Sequence, residues 1–299
     1  IIFSMVQWKK LMTIIFNKII FLLKCLFSTI KLHLRAIFCR LNRNQCVSQN
    51  SEYIITLTSY HERFNTLYLT LESLFNQSVK PSNIYLWISQ EDIDKYGGLP
   101  DSLPRYINAG LTVKILKENI RSYKKLSYIE DVLKKDNNIK FIITADDDIM
   151  YPRRWAQGLI QTTKKHGSVS CYRGHNLTYA EGSYNYNQSI NQNKFSVEPS
   201  FDLLPTGCSG ICYLRKSINK LVNDRRFLNF AYDADDIWYK AMTLSAGFKC
   251  VRVEPRNIHF PLIITCLSNA LYSKNVWQNE NDKKLIETFS LLNVEDFFK

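Results

Sequence analysis

Three consecutive carboxylates, Asp146, Asp147 and Asp148, directly follow the apolar run FIITA and form the clearest chemical signal in the sequence. Adjacent anions repel one another. They become favourable together when a hard divalent cation such as Mg2+ or Mn2+ gathers their oxygens against a phosphate-bearing ligand. A solvated acidic turn is the simpler alternative. The triplet closes a hydrophobic run and precedes YPRRW rather than a Gly/Ser-rich loop, which favours a metal site.

A second acidic group, Asp235 and Asp236, stands at the start of a segment with helical apolar spacing. One short acidic side chain at a helix start is often only a cap, and this alternative stays open for Asp233 and Asp235. A doublet followed by a bulky Trp is more than capping requires. The second carboxylate would be free to act as a general base beside an acceptor hydroxyl.

Both acidic groups belong to a chain in which strand-like and helix-like segments alternate. Strands are predicted near residues 53–60, 83–89, 111–118 and 138–148, and helices near residues 63–78 and 125–135. Such alternation indicates a parallel sheet covered by helices on both faces. In these sheets ligands bind beyond the carboxyl ends of the strands, which is where the Asp triplet lies.

Composition is that of a globular protein. The 299 residues are 45% hydrophobic and 22% charged, which excludes disordered, collagen-like and low-complexity classes. Residues 1–46 hold eight basic and no acidic residues and so supply most of the net charge of +12. The rest of the chain is nearly balanced, which argues against nucleic-acid binding. The eight cysteines lack CxxC pairs or disulfide spacing and are expected to be reduced thiols.

The basic N-terminal segment has the pattern of an amphipathic helix, because Lys10, Asn17, Lys24 and Lys31 recur every seven residues. Lys18 and Lys24 would each cost ~2.5–3.5 kcal/mol near a bilayer centre, so a helix in the membrane interface is favoured over a span. Its basic stripe would face anionic lipid headgroups. The alternative is a helix packed on the protein's own body or on a partner.

Several strings, in their order along the chain, resemble nucleotide-sugar-dependent glycosyltransferases of the GT-A fold. They are ITLTSYHER, FIITADDDIMYPRRW, PTGCSGICYL, ADDIWYKAM and IHFP, and the likeness covers roughly residues 52–282. It is closest to bacterial enzymes of surface-polysaccharide assembly, such as capsule and lipopolysaccharide glycosyltransferases. The implied fold is α/β, a Rossmann-like mostly parallel sheet with helices on both faces. With the N-terminal amphipathic helix, the predicted division is residues 1–48 for a membrane-associating helix and 49–299 for a catalytic domain.

On the donor side, the resemblance implies a nucleotide-sugar, with a UDP-sugar favoured, and a Mn2+ or Mg2+ ion. Asp146 would contact the sugar nucleotide and Asp148 the metal, with Asp147 in either role and His259 near the metal or diphosphate. The implied nucleotide pocket comprises Thr58, Ser59, Arg63 and Lys125. From the residues alone, Arg63 is equally a surface charge, His259 a core histidine, and the Lys124–Lys125 pair a solvated helix start.

On the acceptor side, the resemblance implies transfer to a hydroxyl of a glycan or lipid-linked acceptor. Asp236 is the first choice for the catalytic base and Asp235 the second, a role that would make the reaction inverting. The glycine-flanked loop of Gly207, Ser209 and Gly210 would approach the acceptor, with Arg173 and His175 along the acceptor groove.

Two other functions stay open. A nucleotidyltransferase acting on a sugar phosphate also uses carboxylates and a divalent ion, but it usually has a Gly-rich phosphate loop that TSYHERFN lacks. A non-catalytic membrane-associated scaffold would use the acidic groups only as caps. The cytoplasmic face of a membrane is the predicted location. A Golgi type II protein is the alternative, since Asn-x-Ser/Thr triplets occur at Asn76, Asn176 and Asn187.

Overall fold

The computed structural model describes residues 5–180, 183–186, 189, 196–269 and 280–298, so Asn187 lies outside the described residues. A seven-stranded sheet forms its centre. The strands of this sheet are β1 Tyr53–Thr58, β2 Ile84–Ser89, β3 Leu111–Leu116, β4 Phe141–Ala145, β5 Val169–Cys171, β10 Ile211–Leu214 and β11 Cys250–Arg252. Two small pairs lie beside it: β6 Gly174–Asn176 with β9 Leu203–Pro205, and β7 Thr178–Ala180 with β8 Ser183–Asn185.

The strand order of the central sheet is β11-β5-β10-β4-β1-β2-β3. All neighbours are parallel except β10, which runs antiparallel to both β4 and β5. In the middle of the sheet Ile55 of β1 is paired with Ile143 of β4 and with Ile84 of β2. The predicted mostly parallel α/β sheet is therefore confirmed. The carboxyl ends of β1, β2 and β4 meet at one edge.

Helices cover the sheet on both faces. They are α1 Met5–Phe38, α2 Arg43–Cys46, α3 Leu67–Leu74, α4 Gln90–Tyr96, α5 Leu103–Asn108, α6 Lys124–Ser127, α7 Ile129–Leu133, α8 Trp155–His166, α9 Phe227–Phe230, α10 Asp235–Ser245 and α11 Glu280–Leu291. One apolar core joins the sheet to α3, α5 and α8, and a second joins its other face to α6, α7, α9 and α10. Alternate side chains of β1 pack in the two cores, with Ile55 in the first and Ile54 in the second.

The segment predicted as one helix over residues 125–135 is instead two short helices, α6 and α7, separated at Tyr128. Tyr128 stacks on Trp87 with 5.6 Å between ring centroids, and its hydroxyl donates to Glu118 at 2.7 Å. These contacts hold the residue out of helical geometry, with φ −100° and ψ 10°. The break orients α6 so that Lys124 and Lys125 approach the carboxyl edge of the sheet.

The N-terminal helix α1 packs only its C-terminal half against the body, mainly against α3. Cys25 and Leu32 are buried there, and Arg35 Nε lies 3.1 Å from Oε2 of Glu72, whose side chain is fully buried. By contrast, residues 7–19 are exposed on every side. The N-terminal half of α1 therefore projects from the body, whereas its C-terminal half packs against it.

The part of α1 formed by residues 7–38 is long and apolar enough to cross a membrane. Core helices of soluble proteins and signal sequences meet the same length and composition criteria. Since almost none of this helix is buried in the protein, its apolar surface needs another environment.

Candidate active site

A cleft of about 1010 Å³ opens at the carboxyl edge of the sheet. Loops that follow β1, β2, β3, β4 and β9 contribute to its wall, as does the start of α10. Most of the predicted site residues line it: Thr58, Ser59, Arg63, Lys125, Asp146, Asp147, Asp148, Arg173, Gly207, Ser209, Asp235, Asp236 and His259. Residues from distant parts of the sequence thus share one cavity of the size that small-molecule ligands occupy.

The Asp triplet is held by its backbone and paired through its side chains. Asp147 accepts from Ser59 Oγ at 2.6 Å and pairs with Arg63, which also places Nη2 3.0 Å from Asp148 Oδ2. Thr70 Oγ1 donates to the backbone carbonyl of Asp147 at 2.9 Å. Arg63 is therefore neither a surface charge nor remote from the triplet. Its ion pairs connect the segment after β1 to the segment after β4.

Asp148 is biased toward its neutral form. Burial, together with the charges of Asp147 and Asp146, raises the pKa of Asp148 to about 7, although Arg63 acts in the opposite direction. A divalent cation placed beside this carboxylate would favour its charged form.

Metal binding itself is untested by the structure. Among the residues described, no three or more His, Cys, Asp or Glu side chains are gathered as a metal site, and Asp146 and Asp148 contact Lys125 and Arg63. His259 lies in the same cleft, where burial and Arg173 lower the pKa of its imidazole and keep it neutral for coordination. Carboxylate oxygens and an imidazole nitrogen suit Mn2+ chemically. The set Asp146, Asp148 and His259 stays a prediction.

The Asp doublet begins α10, as the sequence indicates, but its side chains do not act as caps. The N-cap is Ala234, which makes no side-chain capping bond, while Asp233 pairs with Lys284 at 2.6 Å. Asp235 Oδ2 lies 3.0 Å from Lys125 Nζ, and Asp236 Oδ1 accepts from the backbone N–H of Gly207 at 2.9 Å. Both carboxylates of the doublet are therefore directed toward the cleft.

Lys125 joins the two acidic groups. Its Nζ lies 3.0 Å from Asp146 Oδ1 and 3.0 Å from Asp235 Oδ2, and its side chain is only 6% exposed. Although burial acts in the opposite direction, the charges of Asp146, Asp235 and Asp236 raise the pKa of Lys125 well above its usual range, so it is a permanent cation. It cannot be a solvated lysine at a helix start.

Asp236 is a buried carboxyl that is biased toward its neutral form. Burial, together with the adjacent carboxylate of Asp235, raises the pKa of Asp236 to about 7, with Lys125 acting in the opposite direction. Gly207 lies against this carboxylate: a Cβ at that position would meet Lys125 Nζ at 3.0 Å and Asp236 Oδ1 at 3.1 Å. The absence of a side chain at residue 207 thus allows its backbone N–H to reach the carboxylate.

Two residues predicted for the acceptor side do not line the cleft. Gly210 has φ +87°, and a Cβ there would lie 2.4 Å from Trp155, so this glycine serves a tight turn against the core. His175 is buried in β6, where burial and the nearby arginines lower the pKa of its imidazole to about 3. Ser209 does line the cleft, but its hydroxyl donates to the Ile258 carbonyl at 2.7 Å.

One polar cluster in the cleft lies outside the predicted set. Asp92, which is 2% exposed, lies 3.0 Å from His61 Nδ1 and 3.1 Å from Lys124 Nζ, and Lys124 also donates to Asn119 Oδ1 at 2.9 Å. The Ser89 side chain accepts from the backbone N–H of Asp92. This bond caps α4, which begins directly after β2. The rule that ligands bind beyond strand ends points to this segment, which directly follows β2.

No family model matches the sequence, and no curated protein matches it. Among solved structures, S. aureus TarS 1–349 in complex with UDP is 14% identical with a TM-score of 0.40, and the match covers 67% of this chain and 57% of that chain. A mannosyltransferase from Pyrobaculum calidifontis, PcManGT, in complex with GDP-Man and Mn2+ is 12% identical with a TM-score of 0.43, over 78% and 64% of the two chains. GalNAc-T7 with UDP, GalNAc and Mn2+ is 11% identical with a TM-score of 0.44, over 69% and 42%.

This chain thus spans less than two thirds of the length of each of these three chains. Because the identities and scores are low, the function is inferred from the cleft residues rather than from these neighbours.

Proposed function

We propose that this protein is a nucleotide-sugar-dependent glycosyltransferase that transfers a sugar to an acceptor hydroxyl. The observation that supports this most is the joining of the two acidic groups by one buried cation, Lys125, at the end of the sheet where ligands bind. One group, Asp146–Asp148, follows β4, and the other, Asp235–Asp236, begins α10. Donor chemistry and acceptor activation would therefore occur side by side.

On the donor side, Thr58, Ser59, Arg63 and Lys125 would bind the nucleotide, and Asp146 and Asp147 would contact the sugar nucleotide. Asp148 and Asp146, with His259, would hold Mn2+ or Mg2+. When bound, the cation neutralises the charge that develops on the departing diphosphate. Arg63, which lies between Asp147 and Asp148, would exchange one of these carboxylate contacts for a phosphate oxygen, since its planar guanidinium suits both.

On the acceptor side, Asp236 would remove the proton of the acceptor hydroxyl. The acceptor oxygen then forms a bond to the anomeric carbon, and the nucleoside diphosphate leaves with the electron pair of the broken bond. This displacement inverts the anomeric centre. The elevated pKa of Asp236 supports the role, because a base with pKa near the working pH is the most effective. Asp235 keeps Lys125 in place as a positioning residue.

We also propose that the acceptor is a glycan or a lipid-linked glycan, bound along Gly207, Ser209 and Arg173. The basic, apolar and exposed helix α1 supports association with an anionic membrane surface. The body of the protein would then work peripherally at the cytoplasmic face. No contact among the described residues supports the Golgi alternative.

The test is incubation with a panel of UDP- and GDP-sugars plus Mn2+, with and without glycoside acceptors. Release of nucleoside diphosphate from one donor supports transfer, release of pyrophosphate would indicate a nucleotidyltransferase, and no turnover of any donor would indicate a scaffold. Asp236→Asn should lower the rate of transfer about 10²–10⁴-fold, whereas Asp131→Asn, the same change at an exposed position, should not. NMR of the product anomer tests inversion, and retention would remove the base role of Asp236.

A further inference from the structure

The exposed apolar surface of α1 forms one continuous stripe. Its members recur every three or four residues and are each between 48% and 69% exposed: Met12, Phe16, Ile19, Leu23, Phe27, Ile30, Leu34 and Ile37. With 3.6 residues per turn, this spacing places them on a single face. Cys25 and Leu32, which are buried against the body, fall on the opposite face. The stripe therefore points away from the catalytic body along nearly the whole helix.

The charge pattern of the segment identifies what covers the stripe. No acidic residue precedes Glu52, whereas Lys24 and Lys31 border the stripe along one side and Lys9 stands at its N-terminal end. An apolar face bordered by lysines complements the acyl chains and anionic headgroups of a bilayer. A second copy of the same helix would meet like charge along its length.

The docked half of the helix determines its orientation. A span that includes residues 25–35 would draw into hydrocarbon the body that they contact, whereas a span of residues 5–24 alone would place Lys9, Lys10 and Lys18 in hydrocarbon. Those contacts include the ion pair of Arg35 with buried Glu72, which Arg105 also joins at 2.9 Å. A charged cluster of this kind is not compatible with the bilayer centre. A helix in the plane of the interface immerses the stripe and leaves the body outside.

The cleft lies directly beside this helix. Phe21 of α1 lines the cleft together with Leu262 and Cys266. Cys25 Sγ accepts from the backbone N–H of Leu262 at 3.3 Å, and the next N–H, that of Ile263, donates to the Asp148 carbonyl at 2.9 Å. The helix is thus connected to the Asp triplet through one short segment. Phe21 lies one turn before Cys25 and so on the same face of α1, opposite the stripe. Since an α-helix with its side chains is about 10–12 Å wide, the cleft wall at Phe21 lies roughly one helix diameter from the immersed face.

We propose that α1 lies flat on an anionic membrane with this stripe immersed, and that the cleft receives an amphiphilic acceptor whose apolar tail extends past Phe21 and around α1 into the bilayer. The statement about the acceptor rests on the proposed glycosyltransferase function, whereas the statement about the membrane does not. Phe21 is accordingly a specificity-determining residue that favours acceptors carrying an alkyl chain.

Membrane binding is tested by co-sedimentation of the full chain with vesicles of phosphatidylcholine containing about one third phosphatidylglycerol. The double variant Phe16→Glu/Leu23→Glu should bind about tenfold or more weakly. The matched control Ile107→Glu/Ile115→Glu changes two apolar residues that are 43% and 53% exposed elsewhere, and it should bind as the wild type does. Equal binding by both variants, or a dimer that only the first variant disrupts in lipid-free solution, would overturn the proposal.

Orientation is tested with a fluorescent residue introduced at one position at a time and quenched by bromine-labelled lipid. Quenching should be strongest at Phe27 on the stripe, intermediate at Phe21 in the cleft wall, and absent at Lys134, an exposed residue directly after α7. Equal quenching at Phe21 and Lys134 would show that the cleft does not face the bilayer.

The acceptor class is tested with a donor that the wild type turns over, by comparing dodecyl and methyl glycosides of the same sugars. The dodecyl glycosides should react at least about tenfold faster in the presence of vesicles, and Phe21→Ala should reduce that ratio. Equal rates for the two series, or acceptance of neither by an enzyme that hydrolyses the donor, would contradict an amphiphilic acceptor. Absence of any donor turnover would instead contradict the proposed function and leave the vesicle-binding result standing.

Discussion

Lys125 and Asp235 form a buried ion pair, with 3.0 Å between Nζ and Oδ2. The same ammonium group lies 3.0 Å from Asp146, so it neutralises charge on both sides of the cleft. Through this contact the start of α10 is held against the end of β4. The proposed catalytic base and the proposed donor site are therefore parts of one electrostatic unit.

Removal of this cation should destabilise the fold. Lys125→Met leaves the carboxylates of Asp146 and Asp235 without their shared partner, and breaking a buried pair typically costs about 3–5 kcal/mol. Urea unfolding at neutral pH should therefore show a loss of that order. The control Lys134→Met alters a lysine that is 73% exposed and should change the free energy of unfolding by about 0.5 kcal/mol or less. Equal losses for the two variants would contradict the bridging role of Lys125.

The pH dependence of transfer should report Asp236. A general base works in its deprotonated form, and the pKa of Asp236 is raised to about 7. The value of kcat/KM should therefore rise with pH up to about 7 and level off above it. Asp236→Asn should lower kcat/KM about 10²–10⁴-fold and abolish this rise. A rise that persists in the variant would assign the titration to another group.

The same carboxyl should reduce stability at high pH. Its pKa is higher in the folded chain than in the unfolded chain, so the folded state binds the proton more tightly. The stabilisation that the protonated form provides is complete below the unfolded pKa near 4 and is lost as pH rises through about 7. Asp236→Asn should thus raise the free energy of unfolding at pH 8, by about 1–2 kcal/mol, and less at pH 5.

Denaturant unfolding at the two pH values measures this difference. Asp131→Asn at an exposed position should show no comparable effect. An Asp236→Asn variant that is less stable than the wild type at pH 8 would contradict the strain assigned to the buried carboxyl.

Gly210 and Gly167 offer a matched pair for backbone strain. Both have positive φ, +87° and +60°, but a Cβ at Gly210 would lie 2.4 Å from Trp155, whereas a Cβ at Gly167 would have no other atom within 4 Å. Gly167→Ala should cost about 1 kcal/mol from φ alone. Gly210→Ala should cost about 3 kcal/mol or more, because the indole must also move. Similar losses in urea unfolding would indicate that Trp155 repacks freely.

The sequence predicted the strands, the sheet class and both acidic groups because those features are local. Apolar runs such as FIITA identify a buried strand, and three adjacent carboxylates are visible wherever the strand lies. The pairing of Arg63 with the triplet and the bridge made by Lys125 depend instead on which strand ends become neighbours. A lysine at a short helix start gives no sequence signal that two remote carboxylates surround it.

The errors have equally specific causes. His175 and Gly210 lie close in sequence to cleft residues. However, His175 is buried in β6, which pairs with β9, and Gly210 packs on Trp155. Asp92 gives no sequence signal, because its partners His61 and Lys124 are about 30 residues away in the chain. The sequence leaves open whether α1 lies on a membrane or packs against the body of the protein. The structure shows the C-terminal half on the body and leaves the apolar stripe exposed.

The central claim is that the cleft binds a nucleoside diphosphate through a divalent ion held at the Asp triplet. Isothermal titration calorimetry of UDP and GDP into the protein, with Mn2+ and with EDTA, tests it directly. One of the two nucleotides should bind with Mn2+ and not with EDTA, and Asp148→Asn should weaken that binding at least about tenfold while Asp131→Asn does not. Failure of both nucleotides to bind in the presence of Mn2+, or equal binding by wild type and Asp148→Asn, would contradict the account.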